Sequence, residues 1–144
     1  ATDHAPHTRE EKNNSYFNAP SGGPMVQHAL VAMLEAMHQG RITIDRVVEK
    51  MSHAPAVCFE LENRGFLRKG YHADLALVRL NDPWTVTPES LLYKCGWSPM
   101  EGETFRSRII HTLVNGKVAY SNTNGLGVGT VLEDHRGQRL LFQR

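Results

Sequence analysis

Apolar residues recur at three- and four-residue steps in APSGGPMVQHALVAMLEAMHQG, placing Val26, Leu30, Leu34 and Met37 on one face. Pro24 suits a first turn, where its missing N–H is no loss, and Gly40 suits the C-terminal stop. This spacing predicts a helix over about residues 24–38. TIDRVVEKMSHAP repeats the signs more briefly, with Thr43 as the cap, Ile44, Val47, Val48 and Met51 on one face, and Pro55 as terminator.

After Phe59 the period changes. ADLALVRL is a near-continuous apolar run bounded by Gly70 and by Asn81-Asp82-Pro83, which predicts a buried strand. SRIIHTLVNGKVAYSN gives two β-rich stretches about Asn115-Gly116, a dipeptide that tolerates the positive φ angles of a tight hairpin. GTVLED and QRLLFQ, flanking His135-Arg136-Gly137, predict a second hairpin. Helices therefore come first and strands afterwards, which divides the chain at about residue 58.

The 144 residues, 40% of them hydrophobic, suffice for one core and are few for two independent domains. Sixteen Lys and Arg nearly balance fifteen Asp and Glu, with no run of like charge, so neither a phosphate backbone nor a membrane surface is a fitting partner. No stretch is long and apolar enough to span a bilayer. Cys58 and Cys95 form no CxxC pair; they read as buried free thiols, in keeping with a reducing cytoplasm. A chain that opens directly on a dense polar motif, with no strand before it, reads as a piece of a longer one.

That motif, TDHAPHTREEK, holds an aspartate and two histidines, which are ligand types for zinc, manganese or iron. Pro6 lies between His4 and His7, so the segment is not a regular helix and the two imidazoles are expected to diverge. The other histidines are scattered singly, with no HxH and no HExxH, so these residues do not supply a metal cage by themselves. The same loop also reads as a helix lead-in, with Asp3 or Thr8 capping and Glu10 and Glu11 near a helix N-terminus. Ser21-Gly22-Gly23 likewise reads as an ordinary N-cap with a flexible approach. Spacing leaves both readings open.

Resemblance adds to this. TDHAPHTREEK followed by APSGGPMVQHAL resembles the last-strand motif of the dihydroorotases, members of the amidohydrolase superfamily, and KMSHAPAVCFELENRGFLRKGYHADLALVRL and RIIHTLVNGKVAY resemble that family's closing segments. The resemblance implies an α/β fold: the C-terminal part of a (β/α)8 TIM barrel, a metal-dependent hydrolase, with part of a small composite β-sandwich domain. Residues 1–58 would be the end of the last barrel strand, the active-site loop and the C-terminal barrel helices, and residues 59–144 the β-rich composite domain. Asp3 stands where the family has its metal-binding aspartate, which also moves the proton of the attacking water. His7 stands where a histidine contacts the substrate carboxylate, and Ser21 and Gly22 match the loop whose backbone contacts the same substrate. For His4 the expectation is a packing or supporting role.

The implied cofactor is zinc, binuclear in the complete enzyme, with its other ligands upstream of this chain. The implied partners are a small-molecule substrate, the N-terminal barrel portion of the same enzyme and, as an open matter, further copies of it. The implied reaction interconverts N-carbamoyl-L-aspartate and dihydroorotate in pyrimidine synthesis, and these residues alone are expected to be inactive. An allantoinase or hydantoinase is the nearest rival reading, and a non-catalytic scaffold subunit of the same fold is a rival of another class. Trp84, Tyr93, Trp97 and Phe105 are expected to pack a long loop onto the barrel; His111 and His135 read as surface or satisfied histidines.

Overall fold

The computed structural model describes residues 2–125, 128–132 and 137–143. Its helical part runs from a single turn, α1 (Arg9–Lys12), through a 3-10 turn (Val26–His28) into α2 (Ala29–His38), then α3 (Ile44–Val48), a π-helical stretch (Glu49–His53) and α4 (Ala54–Cys58). Strands follow: β1 (Leu75–Arg79), β2 (Trp84–Thr85), β3 (Thr104–Phe105), β4 (Arg108–Val114), β5 (Lys117–Ser121) and β6 (Thr130–Val131).

The helix start and stop signals act where their chemistry dictates. Past α2 the chain closes in the Schellman pattern: Gly40 takes φ +72° and donates to the Met37 carbonyl, and Arg41 donates to that of Ala36. Thr43 caps α3 through its hydroxyl, which accepts the Arg46 N–H at 3.3 Å. Pro55, by contrast, does not end the second helix. The Ala54 N–H reaches back to the Glu49 carbonyl, and the wider π turn carries the proline into α4, which ends three residues later at Cys58.

One sheet has the order β1-β4-β5-β6 and is antiparallel throughout; β2 and β3 form a separate two-stranded ladder. The β4–β5 hairpin turns at Asn115 (φ 51°) and Gly116 (φ 79°), the positive-φ pair its dipeptide favours. Asp74 closes it from outside: its Oδ1 accepts the Asn115 N–H at 2.8 Å, Gly116 donates to the Ala73 carbonyl at 2.9 Å, and Arg64 pairs with the other carboxylate oxygen.

The expected second hairpin is replaced by different pairings. β6 joins β5, while Phe142 bridges Leu61; residues 133–136, including His135 and Arg136, lie outside the described residues. Burial of ADLALVRL is also corrected. β1 lies at the sheet edge, with Leu77 44% exposed, because β4 covers only one of its long sides. Nor is the α3 face wholly covered: Val47 is buried, while Ile44, Val48 and Met51 border an open apolar groove shared with Leu75 and Val78.

The core lies between α2 and the β2–β3 ladder. Val31, Val86 and Phe105 are buried together, with Ala32, Trp84, Leu91, Met100 and Ile109 packed around them. Polar clamps fasten the same junction: Arg106 forks onto Glu35 at 2.7 Å, which holds that carboxyl down at about 2, and His38 Nε2 meets Ser107 Oγ at 2.9 Å. Burial of the thiols is not general, since Cys58 is exposed on the last turn of α4 and Cys95 half-buried, both unpaired.

Candidate functional site

The opening segment runs extended beside the glycine loop. His4 and Gly23 form a parallel bridge, and the Ala5 N–H donates to the Gly23 carbonyl at 3.1 Å. The two backbones come this close because residue 22 lacks a side chain. A Cβ at Gly22 would stand 2.7 Å from that of Ala5, and its φ of +82° suits glycine alone. The Asp3 carbonyl lies 3.8 Å from the same point, so Asp3 and Gly22 are neighbours through their main chains.

Asp3 is exposed and adopts φ 46°, left-handed backbone that aspartate tolerates better than most residues. Its carboxylate has no hydrogen bond or ion pair among the described residues. His7 is half-buried, with Nδ1 3.6 Å from Glu11 Oε2. Ser21 is exposed at the lip of the loop.

The histidines diverge. His4 turns towards the start of the helix, where Nδ1 accepts the Met25 N–H at 3.1 Å, and its ring lies 5.4 Å from that of Tyr93. It therefore caps the turn leading into α2, and accepting at Nδ1 leaves the ring proton on Nε2. The helix-lead-in reading of the motif holds as well. Thr8 Oγ1 accepts the Glu11 N–H at 3.2 Å, and Glu11 Oε2 accepts the Thr8 N–H at 2.7 Å. This second bond holds the Glu11 carboxyl below the usual carboxylate range.

Three supporting contacts escaped the reading of the sequence. Lys12 Nζ donates to the carbonyls of Pro20 (2.5 Å) and Gly22 (3.0 Å), tying α1 to the glycine loop. Gln27 uses both ends of its amide on the backbone of residues 90–92, donating to Ser90 O and accepting from the Leu92 N–H, each at 2.8 Å. Trp97 donates its indole N–H to the His7 carbonyl at 2.8 Å. Lys12 lies in the opening motif, where helix-end chemistry accounts for Glu10 and Glu11 only, and sequence distance hides the partners of Gln27 and Trp97. The aromatics expected to pack onto the 1–58 part do meet it, at buried His28: Trp84, Tyr93 and Phe105 lie 5.8–6.2 Å from its ring, and this enclosure pushes its pKa down.

Among the described residues, no group of three or more His, Cys, Asp or Glu side chains is placed to hold a metal ion. Asp3 fits one ligand position in type, a hard oxygen donor without a competing partner, but one ligand is not a cage.

The chain matches the amidohydrolase family over residues 1–119. It is similar to the dihydroorotase of Pyrococcus furiosus, 34% identical over 141 residues that cover 98% of this chain and 31% of that protein. It is also similar to the dihydroorotase of Halobacterium salinarum, 43% identical over 102 residues covering 71% of this chain and 24% of that protein. Among solved structures it resembles a D-hydantoinase (dihydropyrimidinase) from Thermus sp., with TM-score 0.79, 25% identity, and coverage of 91% of this chain and 29% of that one. The chain thus matches between about a quarter and a third of the length of these curated relatives. With that match running from the opening motif through the Asn115-Gly116 hairpin, the chain belongs to the amidohydrolase family.

Proposed function

We propose that this chain is the C-terminal segment of a dihydroorotase-type cyclic amide hydrolase, which interconverts N-carbamoyl-L-aspartate and dihydroorotate in the cytoplasm. Residues 1–58 supply the end of the last strand, the substrate loop and the closing helices of a (β/α)8 barrel, and residues 59–144 supply part of a composite β domain. The observation that carries this reading is Asp3, whose main chain adjoins the glycine loop and whose carboxylate has no partner among the described residues, in a motif that resembles that of the dihydroorotases.

The assignments follow from what each group can do. Asp3 accepts a proton at a carboxylate oxygen from the attacking water and returns it to the leaving ring nitrogen, acting as base and then acid. His7 donates to the carboxylate of the anionic substrate, and the main-chain N–H groups of Ser21 and Gly22 add neutral donors beside it. A divalent ion, zinc in this proposal, supplies the polarisation that makes water nucleophilic near neutral pH. Asp3 would be its one ligand from this chain, the remainder coming from the part of the barrel that this chain does not span.

The test is turnover by the complete enzyme of dihydroorotate, hydantoin and allantoin side by side, with metal content measured on the same sample. The proposal expects dihydroorotate to be the preferred substrate and about two metal ions per barrel. Faster hydrolysis of hydantoin or allantoin would transfer the site to that chemistry. Absence of both metal and turnover would leave a scaffold subunit.

A further inference from the structure

Trp97, remote in sequence from the assigned site, hydrogen-bonds one of its arms and lies near the other. The indole N–H donates to the His7 carbonyl at 2.8 Å, and the far edge of the ring, Cη2, lies 3.7 Å from where a Cβ on Gly23 would stand. One rigid side chain thus reaches from the opening segment that carries His7 towards the loop that carries Ser21 and Gly22.

The position of that ring is itself determined. The next residue, buried Ser98, meets Nδ1 of fully buried His28 through its hydroxyl at 3.2 Å. The Ser98 N–H donates to Glu101 Oε1 at 2.9 Å, and the same oxygen receives Arg9 of α1 at 3.2 Å. Tyr93, at the other end of the segment, accepts the Gln27 N–H at 2.8 Å. A line of contacts therefore runs from the core at His28 through Ser98 to Trp97, and from Trp97 to the His7 arm and towards the Gly22 loop.

We propose that Trp97 is a positioning residue for substrate binding, fixing the separation between the His7 arm and the Gly22 loop. This rests on the reading of His7 and Gly22 as substrate contacts. Trp97 touches no group assigned to proton transfer, so its loss acts on affinity and not on the chemical step. A net hydrogen bond of about 1 kcal/mol corresponds to about fivefold in a binding constant.

The experiment is Trp97→Phe in the complete enzyme, which deletes the N–H and shortens the ring so that it no longer reaches towards Gly23. The expected result is a KM for N-carbamoyl-aspartate raised about fivefold with kcat unchanged. An unchanged KM, or a fall in kcat with KM unchanged, overturns the proposal. If the Phe variant fails to fold, the benzothienyl isostere of tryptophan at position 97 replaces N–H by sulfur at nearly constant shape and is read identically. A readout independent of turnover is hydrogen exchange at the Ala5 amide, whose bond to Gly23 joins the two arms. The isostere or Trp97→Phe should speed it about fivefold, and an unchanged rate means that Trp97 does not hold the arms. A wild-type enzyme that does not turn over dihydroorotate sinks the functional reading, while the exchange rate alone then decides the positioning role.

Discussion

Two aspartates, Asp3 in the opening motif and Asp74 just before β1, have opposite surroundings. Asp74 is consumed by structure: one oxygen accepts the Asn115 N–H, the other pairs with Arg64, and Arg64 Nη2 reaches on to Asn115 Oδ1 at 3.3 Å. Asp3 has left-handed backbone, an exposed side chain and no partner among the described residues. A carboxylate with both oxygens engaged by its own chain stabilises a turn. One whose side chain is unengaged among the described residues has both oxygens open to a ligand, as the proposed function requires.

The sharpest way to break this contrast is Asp3→Asn in the complete enzyme. Turnover should fall by about 10²–10⁴, the usual worth of a positioned acid–base group, while the thermal midpoint stays where it was. Near-normal turnover would strip Asp3 of its assigned role. Asp74→Ala should do the reverse. It leaves the Asn115 amide and the Arg64 guanidinium without their acceptor, which should cost about 1–2 kcal/mol in a denaturant titration, with activity per folded molecule intact. A loss of kcat with no loss of stability would erase the distinction between the two carboxylates.

Lys12→Met probes the border between support and site. Removing the ammonium that grips the Pro20 and Gly22 carbonyls should loosen the substrate loop and raise KM about threefold, with kcat little changed. An unchanged KM would make Lys12 a surface charge only.

The smallest effect is one of pH. The His28 pKa is lowered from 6.5 by burial, so below that pH the unfolded chain binds a proton that the folded chain refuses. Stability should therefore decline as the pH falls below 6.5, and His28→Gln should flatten the slope. Glu35 acts in another window. Held at about 2 chiefly by its hydrogen bonds from Arg106, against an ordinary 4.5, it contributes fully above 4.5 and loses that contribution as the pH falls towards 2. Denaturant midpoints measured across both windows separate the two groups.

Features encoded by neighbouring residues were legible in the sequence. The stop at Gly40, the cap at Thr43 and the turn at Asn115-Gly116 depend on φ angles and side-chain reach that a few residues determine, and each stands as expected. Burial was not legible, because it depends on what lies opposite: ADLALVRL forms a strand, but at a sheet edge, and Cys58 emerges on the exposed side of α4. Pro55 misled for a related reason, since a proline ends a helix only if the turn before it cannot widen. At the site, the residue types in TDHAPHTREEK were compatible with metal chemistry and with helix capping alike. His4 and Thr8 do cap, and resemblance was needed to single out Asp3, His7, Ser21 and Gly22. That Trp97 packs onto the 1–58 part was expected, but its partner carbonyl and those of Lys12 were not, since neither hydrophobic period nor motif spacing encodes which distant carbonyl a donor will meet.

The wide turn at Glu49–His53 accommodates one more residue than a regular helix would use to cover the same rise. Deleting one residue there would restore ordinary winding and rotate all that follows by about 100° around the axis. The ring of Pro55 would then collide with the carbonyl four positions back, kinking the rod that the insertion now keeps continuous. Proline and insertion are thus coupled, and descendants of this chain should gain or lose them together.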